Sequence, residues 1–139
     1  MKIVGITLKE GGRIYYFSPN NFNLNKGDKV IVETERGLQY GVVEKPITEI
    51  DPEKNKFELK SVIRIADEND TKRHLQNIED AKETLVKCNK LIEKYKLNMK
   101  VLEAAYTFNR EKLVYKFLSD NRVDFRELAK ELAGIYKTR

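Results

Sequence analysis

The stretch RVDFRELAKELAGIYKTR, residues 122–139, gives the clearest structural signal in the chain. Asp124 is a good helix N-cap, because its carboxylate can accept hydrogen bonds from the unpaired backbone N–H groups of the first turn. Glu127 follows three residues later, where it can reach back to the N–H of the cap and complete a capping box. The apolar residues share one stripe: Phe125, Leu128, Ala129, Leu132, Ile135 and Tyr136. These features predict an amphipathic helix over residues 124–137, whose stripe requires a neighbouring element to pack against.

A longer helix and a hairpin precede this stretch. Asp67 is a candidate N-cap for a helix over residues 68–97. Its apolar residues recur at helical spacing: Leu75, Ile78, Ala81, Leu85, Cys88, Ile92 and Tyr95. Residues 99–108 and 112–119 alternate between apolar and polar side chains, as the strands of a hairpin do. Residues 67–139 therefore predict an α-β-β-α domain. Its sheet lacks a closing strand, which favours a chain truncated at the C-terminus over a reduced homologue.

The first half of the chain has the two-residue period of strands. Short strands are expected at residues 4–8, 14–17, 30–34 and 38–43, and residues 46–56 read as a polar loop. A last strand should place alternate residues on one face: Phe57, Leu59, Ser61, Ile63 and Ile65. Five short strands joined by tight turns predict a small, strongly curved sheet or SH3-like barrel for residues 1–66. The predicted fold class is therefore α+β, with domains 1–66 and 67–139.

Three glycines in the first half read as structural positions. Gly27 and Gly37 lie in predicted turns, and Gly41 lies in a strand that must curve. Glycine supplies unusual turn dihedrals and relieves crowding where backbones approach closely. No phosphate-binding or dinucleotide-binding fingerprint accompanies them, so we assign them no ligand.

Charge and cysteine content restrict the class of protein. The net charge is +5 and the pI about 9.2, but residues 1–66 carry 11 basic and 9 acidic side chains and residues 67–139 carry 16 and 13. The excess is spread thinly rather than concentrated on one basic face, which a nucleic-acid binder often has. Cys88 is the only cysteine, so no internal disulfide can form. We expect a cytoplasmic protein with no membrane insertion.

Four segments resemble one known family in order and spacing. They are KGDKVIVETERGLQYG at 26–41, VIRIA at 62–66, YTF at 106–108 and RVDFREL at 122–128. They are similar to the signatures of the PSP C-terminal domain family, in its bacterial YaaT/RicT-like branch. The resemblance implies a non-enzymatic scaffold that joins two small partner proteins in a ternary complex. That complex carries iron–sulfur clusters and modulates RNA processing by RNase Y, with effects on sporulation, competence and biofilm formation.

The resemblance also implies where a cluster would lie. Relatives continue after the final helix with a strand and a cysteine-rich segment, and nothing follows Arg139 here. This chain is therefore expected to hold no cofactor itself. An iron–sulfur cluster would belong to a full-length complex, through cysteines absent here.

Four residues are candidates for binding a partner protein or a nucleic acid. Arg122 and Arg126 have no part in the predicted cap, and a guanidinium can grip a carboxylate or phosphate with two parallel hydrogen bonds. Tyr40 with nearby Arg36 could stack and neutralise single-stranded RNA or DNA. A direct RNA-binding or single-strand-binding module is therefore the alternative to a scaffold.

An enzyme is the least favoured class. His74 is the only histidine and lies far in sequence from Cys88, so no Cys–His catalytic pair or zinc site is predicted. The acidic residues show no spacing that singles out a pair for acid–base chemistry. We therefore predict no catalytic and no metal-ligating residue in this chain.

Overall fold

The computed structural model describes residues 1–54, 58–119 and 122–138. The chain divides into two compact units, Met1–Lys72 and Arg73–Arg139. The first turn of the long helix thus groups with the first unit. The domain boundary between residues 66 and 67 stays a prediction.

The first unit is built on one antiparallel sheet of five strands. β1 covers Lys2–Thr7, β2 Ile14–Phe17, β3 Lys29–Thr34, β4 Gly37–Glu49 and β5 Val62–Ile65, and a short 3-10 turn covers Pro52–Lys54. Their order across the sheet is β2-β1-β4-β3-β5. Because side chains alternate between faces, one face carries the core. Its buried members are Val4, Ile6, Phe17, Leu24, Val30, Val32, Val43 and Val62.

Of the two predicted alternatives, a curved sheet or an SH3-like barrel, the described residues form an open sheet and no closed barrel. One isolated bridge joins Ser18, after β2, to Ser61, before β5. The Ser18 N–H donates to the Lys60 carbonyl and the Val62 N–H donates to the Ser18 carbonyl, each at 2.9 Å. Barrel closure needs a continuous ladder between the edge strands. A single bridge brings these edges together without closing the sheet.

β4 is longer than predicted and replaces the start of the expected loop at residues 46–56. It continues through Pro46 to Glu49, paired with β1 alone, because β3 pairs with β4 only as far as Val42. Register shifts on both sides of Gly5 mark bulges in the β1–β4 ladder. Proline is tolerated in a strand at such irregular positions with one-sided pairing.

β5 presents the opposite face from the one predicted. Val62, opposite Val32 in the sheet, is fully buried, whereas Ile63 and Ile65 are exposed. Phe57 lies outside the described residues. A shift of one residue moves every side chain of a strand to the other face. β5 is so short that its composition alone does not decide which of its residues face the core.

The first helix, α1, covers Glu68–Lys94 and begins with the predicted N-cap. The Asp70 N–H donates to the Asp67 carboxylate at 2.8 Å, and the Asp67 N–H donates back to the Asp70 carboxylate at 3.0 Å. This reciprocal pair is a capping box. The Arg64 guanidinium donates to both carboxylate oxygens of Asp70, one of them at 2.9 Å, which ties the helix start to β5.

The predicted apolar face of α1 is correct only in its second half. Leu75 and Ile78 are 56% and 41% exposed, whereas Asn77 and Thr84 are buried. Burial of these polar side chains is tolerated because both are hydrogen-bonded. Asn77, for example, donates to the Phe108 carbonyl at 3.0 Å.

The second unit confirms the α-β-β-α order. After α1 come β6 at Met99–Tyr106, β7 at Leu113–Ser119 and α2 at Arg126–Tyr136. β6 and β7 pair antiparallel. The two helices and the hairpin share a core made of Cys88, Leu91, Ile92, Val101, Leu128 and Leu132.

Candidate interaction surface

An apolar cleft of about 230 Å³ lies between α2 and the hairpin. Ala129 and Ala133 of α2 line one side, and Tyr115 and Phe117 of β7 line the other. Val101 is among the buried residues that line it. The cleft exists because α2 offers small side chains where it faces β7, so the gap between helix and strand is not filled.

Two aromatic rings stand at this cleft with much of their surface in solvent. Phe117 is 48% and Phe125 45% exposed, and their ring centroids lie 5.9 Å apart in a tilted arrangement. Such a pair stabilises by about 0.5–1.5 kcal/mol beyond its burial. Exposed aromatic residues around an apolar depression are typical of surfaces that bind proteins.

The start of α2 differs from the predicted capping box. The N-cap position is occupied by Phe125, without a side-chain cap hydrogen bond. Asp124 lies one residue earlier than an N-cap and accepts the Arg126 N–H at 3.2 Å. Asp124 therefore still satisfies a backbone donor of the first turn, while the predicted partnership with Glu127 is replaced by one with Arg126.

The Arg126 guanidinium, which we expected to take no part in the cap, is engaged by Asp124. Nε and Nη2 donate to the two carboxylate oxygens of Asp124 at 2.9 and 2.7 Å. These bonds, and the Arg126 N–H, hold the pKa of Asp124 at about 2, and the same pair raises the pKa of Arg126. Both side chains are exposed, so water screens their attraction. A partner that binds Arg126 must compete with Asp124.

A second, more polar hollow of about 460 Å³ brings the RVDFREL residues together. Asp124, Arg126 and Glu127 line it beside Tyr95 and Leu97 from the end of α1. Arg122 is exposed in the segment before α2. The start of α2 thus has charged groups on the polar hollow and Phe125 on the apolar cleft.

The two other predicted binding residues lie in the first unit and differ in exposure. Arg36 is exposed in the turn between β3 and β4, where its N–H donates to the Thr34 hydroxyl at 3.3 Å. Tyr40 is only 7% exposed, and its hydroxyl lies 2.9 Å from that of Thr71. A ring buried in this way presents no face to a nucleic-acid base, so the stacking role proposed for Tyr40 does not fit the structure.

The three glycines occupy the kinds of position that were predicted. Gly27 and Gly37 have φ of +95° and +129°, which side chains rarely adopt. At Gly41 of β4, an added Cβ would lie 2.5 Å from Cγ2 of Ile6 on β1. The space between the two residues is therefore too small for any side chain at position 41.

Sequence reasoning missed a polar network that fixes the hairpin to α1. The Arg110 guanidinium donates to the Asn77 side-chain carbonyl at 2.7 Å and pairs with Asp80, whose pKa it lowers. It also lies 4.6 Å from the centroid of the Tyr106 ring. The sequence signal for this network is the pair Asn109-Arg110, which follows YTF directly. These two residues lie in the turn between β6 and β7. The network satisfies the hydrogen-bonding groups of the buried Asn77 side chain. It therefore has a structural role, and we assign it no function.

The residues present do not fit an iron–sulfur cluster. Clusters are held by several cysteine thiolates, and this chain has one cysteine, Cys88, which is 1% exposed. Burial raises the pKa of its thiol and so disfavours the thiolate that binds metal. In residues 1–54, 58–119 and 122–138, no three His, Cys, Asp or Glu side chains are grouped to hold a metal ion.

The helices in the described part of the chain are too short or too polar to cross a membrane.

Comparison with known proteins identifies the family. The model of the PSP1 C-terminal conserved region matches residues 60–139, more than half of the chain. The chain therefore belongs to the PSP1 C-terminal region family, as the sequence motifs indicated. No solved structure matches it.

The similar curated proteins are longer than this chain. It is 40% identical over 137 residues to the Stage 0 sporulation protein YaaT of Bacillus subtilis, which covers 99% of the chain and 50% of that protein. It is 50% identical over 46 residues to Protein PSP1 of Saccharomyces cerevisiae, which covers 33% of the chain and 6% of that protein. The chain thus spans half the length of the bacterial relative.

Proposed function

We propose that this member of the PSP1 C-terminal region family is a non-enzymatic scaffold that binds other proteins through exposed surfaces. The apolar cleft beside α2 carries the proposal, because Phe117 and Phe125 remain about half exposed at its edge. Placing two phenylalanine rings in water is unfavourable unless a partner covers them. The similarity to a sporulation protein supports a regulatory role of this kind.

We further propose the role of the bacterial branch for this chain. In that role the scaffold joins two small partner proteins in a ternary complex, which modulates RNA processing by RNase Y and thereby development. RNase Y would be contacted directly or through the partners, in the cytoplasm. Any iron–sulfur cluster would be held by cysteines elsewhere in the complex, because Cys88 is buried.

Co-elution tests the scaffold. The chain is mixed with the two partner proteins of the family complex at micromolar concentration and separated by size-exclusion chromatography. We expect co-elution with at least one of them, and loss of co-elution when Phe117 and Phe125 are both replaced by serine. Replacing exposed Leu75 of α1 by serine is the matched control, since it lies outside the cleft. Failure of the unaltered chain to co-elute with either partner would remove the scaffold proposal.

Direct RNA binding is the second candidate, favoured by the exposed side chains of Arg36 and Arg122. It predicts an affinity for single-stranded RNA that falls steeply as salt rises, because binding releases counterions. Replacing Arg36 and Arg122 by glutamine should weaken that affinity. Absence of RNA binding at about 50 mM salt would eliminate this candidate.

A further inference from the structure

We draw no further inference here: the strongest candidate, the exposed apolar stripe of Leu75, Ile78 and Val86 on the surface of α1, supports no proposal, because nothing in the described residues shows what covers it.

Discussion

Replacing Asp70 with asparagine should destabilise the first unit at neutral pH and leave it nearly unaffected in strong acid. The wild-type carboxylate accepts two hydrogen bonds from Arg64 and one from the Asp67 N–H. Asparagine keeps a single oxygen acceptor, so it cannot hold both nitrogens of the guanidinium and the N–H together. It also removes the negative charge at the start of α1.

The size of the effect follows from the exposure of the two partners. Hydrogen bonds to charged groups contribute about 1.5–3 kcal/mol each when buried. The Arg64 side chain is 46% exposed, although that of Asp70 is only 10% exposed, so water screens part of the interaction. We expect a loss of about 1–2 kcal/mol in the free energy of unfolding at pH 7.

The pH dependence gives this prediction a second, independent test. The Arg64 hydrogen bonds hold the pKa of Asp70 at about 2, below its ordinary value of 3.8. A carboxyl group with a lowered pKa stabilises the fold above its unfolded pKa and loses that contribution as pH falls through the folded one. The difference between wild type and Asp70→Asn should therefore be constant above pH 3.8 and disappear as pH approaches about 2.

Urea unfolding at several pH values measures the effect. Hydrogen exchange of peptides from β3 and α1 monitors the unfolding of the first unit. Urea is preferred to guanidinium chloride because it adds no salt to screen the ion pair. Glu44→Gln is the control, since Glu44 makes only a 3.9 Å exposed pair with Lys26 and should cost less than about 0.5 kcal/mol. A loss no larger than that of the control at pH 7, or a difference that persists at the acid limit, would refute the reasoning.

Three further substitutions and one thiol reagent test local geometry. Gly41→Ala should cost about 1–3 kcal/mol in urea unfolding, because its Cβ would lie 2.5 Å from Ile6, and a neutral result would contradict the packing. Gly27→Ala meets no atom within 4 Å but keeps φ at +95°, so backbone strain alone should cost about 1–2 kcal/mol. Gly134→Ala, in open space within α2, should stabilise the second unit by about 0.5–1 kcal/mol, and destabilisation would show that the site is crowded. Cys88 should react with a thiol reagent only after unfolding, since it is buried and its pKa is raised; rapid reaction of the folded chain would place it at the surface.

Local patterns predicted the elements of the second unit because each is defined by nearby residues. The apolar period identified α1 and α2, and alternation identified β6 and β7, in the order that the structure shows. The pattern failed in the first half of α1, where Asn77 is buried in place of Leu75. The partners that make this burial tolerable, Phe108 and Arg110, lie more than 30 residues away in the chain. No local period contains that information.

The sheet of the first unit was predicted less well because its limits depend on pairing between distant strands. β4 continues through Pro46 because β1 offers a partner there and bulges absorb the proline. β5 is an edge strand whose phase is set by Val62 opposite Val32. Alternation along a short edge strand is compatible with either face, so only the tertiary pairing decides which residues are buried.

The candidate surface could not be found from the sequence because its residues have the composition of a core. Phe117 continues the apolar alternation of β7, and Phe125 belongs to the apolar stripe of α2. Both patterns predict burial. The structure leaves both rings half exposed because the small side chains of Ala129 and Ala133 leave a gap beside β7.

The most distinctive motifs of the chain, YTF and RVDFREL, have mainly structural roles. In YTF, the buried Thr107 hydroxyl accepts the Lys112 N–H at 3.1 Å and donates to the Asn109 side chain at 3.2 Å, which fixes the β6–β7 turn. In RVDFREL, Asp124 and Arg126 engage each other at the start of α2. Phe125 differs, because much of its ring is exposed to water beside the ring of Phe117. A side chain whose exposure costs free energy in the isolated chain gains most when a partner covers it. By this reasoning Phe125, rather than the paired charges beside it, is the residue of the motif on which partner binding should depend.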